Sequence, residues 1–185
     1  MYPFQGAWTV ENYLGLNSGL LIEYTDGFIR VLPMPTLLHQ WIVRFLFLNL
    51  HTFVTNSELG EVFVAPLPVE LASTRFREPD IVFLRPERIK NWNGHPVGAD
   101  LVIEVVSEGH ENRQRDHVEK RAEYAGAGIA EYWIVDPQEK NITVLTLTGT
   151  VYREHGIFRG GDSVSSALLD GFTCEVNDAF AKCGV

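Results

Sequence analysis

The 185-residue sequence predicts a mixed α/β (α+β) chain with a central mixed β-sheet flanked by helices. Three observations carry that expectation. Apolar residues switch along the chain between helical and strand spacing in the order helix, hairpin, helix, several strands, helix, strands. An Asp-Gly pair, Asp26-Gly27, separates two strand-like runs and marks a hairpin. A strand, a helix and a strand follow one another from Asp100 to Asp136, the pattern of a right-handed parallel crossover if both strands share a sheet.

The elements follow in order. "TVENYLGL" (Thr9 to Leu16) reads as a short opening helix with Thr9 as N-cap. "LLIEY" and "FIRVLP" form the hairpin, so residues of about 8–34 are expected to elaborate a single domain spanning 1–185. From Thr36 to about Asn56, Val43, Leu46, Leu50 and Phe53 recur at three- and four-residue spacing, which predicts the longest helix. Strands are expected at Glu61 to Ala65, Leu67 to Leu71, Pro79 to Leu84 and Asp100 to Val106, with an irregular connection over 86–98. A helix from about Asn112 stops at Gly126 or Gly128. "EYWIVD", "NITVLTL" and "TVYREHGIF" are three further strands, and the tail predicts one strand and a short closing helix. Tyr132 and Trp133 are accounted for by a core strand.

Composition narrows the function classes. With 45% hydrophobic and 21% charged residues the chain has an ordinary globular makeup. No basic segment followed by an apolar one opens it, and the most apolar stretch, Trp41 to Leu50, is too short to cross a membrane. Two cysteines, Cys174 and Cys183, lack metal-type spacing, and a cytoplasmic protein with reduced thiols is expected, with a disulfide the alternative. A net charge of -9 argues against indiscriminate nucleic-acid binding. That charge is uneven: residues 75–121 hold nine basic and nine acidic residues, whereas the remainder holds six and fifteen.

Glu104 stands inside the apolar run Leu101 to Val106, where an ionised group costs several kcal/mol or more unless compensated. It shares a strand face with Val102 and Val106, and Asp80 shares one with Val82 and Leu84. If the two strands are neighbours, the carboxylates can converge, and such a pair repels unless a cation or proton lies between them. Magnesium suits oxygen ligands of this kind. Lys120 lies on the following helix with Asp116 and Tyr124 one turn to either side. A carboxylate pair with an ammonium suits metal-assisted phosphodiester hydrolysis.

These residues resemble a known pattern. Pro79-Asp80, Glu104 and a displaced Lys120 look like the PD-(D/E)XK nuclease superfamily. More narrowly, "EYTDGFIRVLPMPTLLHQ", "LGEVFVAPLPVEL", "REPDIVFL", "DLVIEVVS" and "RDHVEKRAEYAGAGIAEYWIVDP" resemble the Uma-type family of putative restriction endonucleases over roughly residues 20–180. The resemblance implies a restriction-endonuclease-like core, a divalent metal (Mg2+ or Mn2+) and hydrolysis of DNA. It implies that Asp80, Glu104 and the Val105 backbone carbonyl bind the metal, and that Lys120 replaces a lysine from the strand position held by Val106. Glu23, His39 and Gln40 match family positions and are expected to line the site, beside Asp116 and Tyr124. Ser107-Glu108 departs from the usual Ser-Pro.

Each residue also has an ordinary reading. Asp80 could bond backbone or Arg77, Lys120 could be solvated, and His39 suits a hydrogen-bonded core histidine. His110 and His117 read as surface residues. Arg113, Arg115 and Arg121 are candidates for phosphate contacts or for a solvated helix face. Rival functions are a non-catalytic interaction or regulatory module and a phosphodiesterase acting on a non-nucleic-acid substrate. Acidic charge favours the rivals and the intact triad favours the enzyme. A homodimer is expected from the need to cut two strands.

Overall fold

The computed structural model of the protein describes residues 2–17, 19–107, 109 and 113–183. The Asp-Gly signal makes the expected hairpin of β1 (Ile22–Thr25) and β2 (Phe28–Val31). Asp26 and Gly27 both take positive φ, and a side chain on Gly27 would meet the Gly6 carbonyl at 2.7 Å, so this turn requires glycine. Ahead of it, α1 (Val10–Leu14) is capped by Thr9 and Asn12 in a reciprocal box. Trp8, Tyr13, Ile22, Tyr24 and Phe76 form a small core beneath this N-terminal segment.

The long helix is α2 (Leu37–Asn56), with Thr36 Oγ1 accepting the His39 N–H at its start. Ile42, Leu46, Leu50 and Val54 recur every four residues and are fully buried. They cover one face of a six-stranded sheet in the order β10-β9-β8-β7-β6-β3, built from β3 (Glu61–Val64), β6 (Ile81–Leu84), β7 (Leu101–Val105), β8 (Glu131–Asp136), β9 (Asn141–Thr148) and β10 (Val151–Arg159). Only β7 and β8 pair in parallel, as the predicted crossover requires; the other neighbours are antiparallel. Within that crossover, a π-helical turn (Arg115–Glu119) runs into α3 (Lys120–Gly126), whose Tyr124 packs with Val82, Val102, Tyr132 and Ile134 on the opposite face. The central sheet is therefore mixed and helix-covered on both faces.

Three expectations change. Strand β6 begins at Ile81, so Pro79 and Asp80 precede it. A three-residue strand, β5 (Arg75–Arg77), joins β4 (Val69–Ala72) and the hairpin in a second sheet of order β2-β1-β5-β4. Its Arg-Phe-Arg sequence hides it from a hydrophobic pattern, because Arg75 and Arg77 are matched by acids contributed from elsewhere. The tail holds two strands, β11 (Ser163–Ser165) and β12 (Thr173–Glu175), before the short α4 (Val176–Ala179). The expected helix start at Asn112, and His110, lie outside the described residues. Cys174 and Cys183 are free thiols, the former buried. Among the described residues no helix is long and apolar enough to cross a membrane.

Candidate active site

The β6–β7 register pairs Ile81 with Ile103, so Asp80, one residue earlier, and Glu104, one residue later, stand opposite each other. Asp80 Oδ2 accepts the Val105 N–H at 2.8 Å and lies 3.3 Å from His39 Nε2 on the first turn of α2. Arg77, its expected bland partner, instead binds Glu123 at 2.6 Å. Glu104 is 4% exposed and receives both Lys120 Nζ, at 2.8 Å, and the Tyr124 hydroxyl on Oε1.

Lys120 is 1% exposed, and its ammonium also reaches Glu23 Oε1 at 3.2 Å and Asp116 Oδ1 at 3.5 Å. The π-turn explains this reach. Lys120 N–H bonds the Arg115 carbonyl, an i→i+5 link that sets Arg115 about one turn below Lys120, where α-helical winding would separate them by about 140°. Arg115, Asp116 and Lys120 are thereby all buried toward one cluster. Glu23 arrives from the second sheet: Ile22 and Tyr24 alternate into the N-terminal core, and Glu23 between them faces Lys120 and Arg77.

Charge is unevenly balanced. Burial, with the charges of Asp80 and Asp116, pushes the Glu104 carboxyl up to about 8 against the pull of Lys120. Burial disfavours the Lys120 ammonium, yet Glu104, Glu23 and Asp116 together hold its pKa above the ordinary lysine value. Glu23 is likewise buried, and Lys120, Arg77 and Arg115 keep its carboxyl below the usual range. For His39, burial is outweighed by the hydrogen bond and charge of Asp80, then by Glu104 and the Val105 backbone, so its pKa is raised.

Not every candidate joins this cluster. Gln40 is exposed and faces a hollow with Trp41, Arg44 and Lys182, away from Asp80, because one helical step turns it about 100° from His39. Arg113 is held by Asp136 at 2.7 Å and by Gln138, and Arg121 donates to the Tyr152 carbonyl at 3.1 Å. Arg115 is buried against Asp116 at 3.3 Å. His117, expected at the surface, is half-buried beside Asp136. Arg77 and Glu123, which tie Glu23 to α3, escaped the sequence reading; alternation in Arg75-Phe76-Arg77 was the available signal.

The family model for Uma2, described as "Putative restriction endonuclease", matches residues 10–177. The chain belongs to the Uma2 family. No curated protein matches it. Among solved structures, a putative nuclease belonging to DUF820 from Anabaena variabilis ATCC 29413 is similar, with a TM-score of 0.75 and 20% identity over 94% of this chain and 98% of that one. At that identity the likeness establishes a shared fold.

Restriction-endonuclease-like families generally use divalent metals, and the donors in this Uma2 chain fit one. Among the described residues no three His, Cys, Asp or Glu side chains form a ready metal cluster. The fit rests on two opposed carboxylates, whose described contacts fall on Glu104 Oε1 and Asp80 Oδ2 and spare the other oxygen of each. Burial, more than any neighbouring charge, raises the Glu104 carboxyl, and a divalent cation between the pair would favour its ionised form.

Proposed function

We propose that this protein is a metal-dependent endonuclease that hydrolyses phosphodiester bonds in DNA. The observation that carries the reading is the buried meeting of Lys120 with Glu104 while Asp80 stands opposite, just before the neighbouring strand β6. Asp80, Glu104 and the Val105 carbonyl would hold Mg2+ or Mn2+. A bound ion of that kind supplies an activated water and neutralises charge on the phosphoryl oxygens.

The remaining work falls to the chain's own groups. Lys120, held as an ammonium by three carboxylates, serves as a fixed positive charge toward the attacked phosphate or its water, and not as a proton acceptor. Tyr124 and Asp116 keep Glu104 and Lys120 in place from the same helical face. Glu23, anchored by Arg77, holds the ammonium from the side of the second sheet. His39 orients Asp80.

A nicking assay on plasmid and single-stranded DNA with Mg2+ or Mn2+ tests this, comparing wild type with Glu104→Gln. Cleavage by wild type alone, dependent on the ion, is the expected result. Equal cleavage by the variant, or cleavage in a chelator, would falsify the assignment.

A further inference from the structure

A cavity of about 330 Å³ opens beside the proposed catalytic groups, lined among others by Pro33, Met34, Leu38, His39, Val106 and Pro137. Its position follows from the topology. Val106 and Ser107 leave the carboxyl end of β7, and Pro137 and Gln138 leave that of β8, the one parallel pair of the sheet. The segment before α2 closes the other side, and His39 belongs to both features, lining the cavity while its Nε2 lies 3.3 Å from Asp80.

The chemistry of the walls narrows the occupant. Proline, leucine, valine and the Met34 thioether present an apolar surface suited to the flat face of a ring. Met34 is 79% exposed, a large apolar side chain kept at the rim. The polar lining comes from Thr36, His39, Ser107, Gln138, Lys140 and Cys183. Gln138 Oε1 accepts from Arg113, itself fixed to Asp136, which leaves the amide NH2 as a held donor. Lys140 adds a cation there. A flat apolar face with a hydrogen-bonding edge and a neighbouring anion describes a nucleotide. A base stacked in a duplex cannot enter a concavity beside its own backbone, whereas an unstacked base can.

We infer that this cavity takes one unstacked base of a single-stranded DNA substrate, the base next to the phosphodiester bond addressed by Asp80, Glu104 and Lys120. The inference rests on the nuclease reading and deepens it by naming the strand state of the substrate.

The test uses the full chain with Mn2+ and three end-labelled DNAs of one sequence: a single strand, its duplex, and the single strand with an abasic residue beside the mapped cut. The single strand is expected to be cut about tenfold or more faster than the duplex, and removal of the base to slow the cut by about tenfold. Met34→Ala, at an exposed wall position that leaves the core intact, is expected to shrink that abasic penalty to about threefold or less. Equal cutting of duplex and single strand, or of abasic and intact strands, overturns the inference and leaves the nuclease reading standing. If no DNA is cut, the nuclease reading fails, and binding of a single strand carrying 2-aminopurine decides the cavity separately. A fluorescence change seen with wild type and lost in Met34→Ala supports it; no change, or one the variant shares, overturns it.

Discussion

Lys120 Nζ lies 2.8 Å from Glu104 Oε1, and both side chains are almost wholly withdrawn from water. Each is tolerable there only because of the other and of Glu23, Asp116 and Tyr124 around them. Removing one partner of such a pair strands the remaining charge, at a cost of about 3–5 kcal/mol. Lys120→Met, which keeps the volume, is therefore expected to lower the unfolding free energy by about that amount in urea and to abolish nicking. A variant as stable as wild type would mean that the ammonium is not holding the carboxylates together.

The same burial makes stability depend on pH. Burial pushes Glu104 up to about 8 and Glu78 up to about 7, both from an ordinary 4.5. Between these limits the folded chain holds protons that the unfolded chain releases, so stability is full below 4.5 and falls as pH rises. Glu78's share is lost on passing about 7 and Glu104's on passing about 8. Urea midpoints of the metal-free protein are expected to decline over that window, and Glu104→Gln to decline less. Midpoints that climb with pH instead would contradict both shifts.

Glu23 tests whether the second sheet belongs to the site. Glu23→Gln keeps the shape and removes one carboxylate from Lys120 and Arg77, while Glu104 and Glu123 still hold those cations. The expected loss in stability is about 1–3 kcal/mol, and nicking is expected to fall about tenfold through a less tightly held ammonium. Unchanged nicking would remove the hairpin from the machinery.

Arg113 separates a structural cation from a phosphate contact. It bonds Asp136, which is 1% exposed by side chain and also accepts the Gln138 and Glu139 N–H groups at 3.0 and 3.1 Å. Arg113→Ala is expected to cost about 1–3 kcal/mol of stability and to leave the salt dependence of DNA binding unchanged. A phosphate contact would instead lower that salt slope by about 1 with little effect on folding.

Buried acids show what could be read in advance and what could not. Glu104 attracts notice as a carboxylate within an apolar strand, but Glu131 fits that description equally well and is 0% exposed. Its two oxygens are taken by Trp133 Nε1, Ser166 Oγ and the N–H groups of Ala167 and Leu168, which makes it a structural bracket for the chain after β11. Asp100 similarly holds Arg85 N–H and Arg88. Burial alone does not distinguish these acids from Glu104. What distinguishes Glu104 is a pairing with a lysine and an opposed aspartate, and both partners come from other elements.

Local signals sufficed for the elements with strong local physics. Thr36 and the four-residue apolar spacing define α2 and Asp26-Gly27 defines the hairpin turn, whereas the crossover was legible only on the condition that β7 and β8 share a sheet. Family membership was legible too, because the motifs that carry it lie in contiguous stretches. The three-residue β5 and the direction of Arg113 were not, since each depends on partners from other elements, and the π-turn has no periodic signal that sets it apart from an α-helix. The sequence by itself determined the mixed sheet with its covering helices and put forward Asp80, Glu104 and Lys120 as candidates, because periodicity and residue type are properties of the chain. Only the tertiary structure decided that Glu23 and Arg77 close around Lys120 and that a cavity opens at His39. Those relationships arise where two sheets and a helix meet, and no local pattern encodes the geometry of a meeting between elements so far apart in the chain.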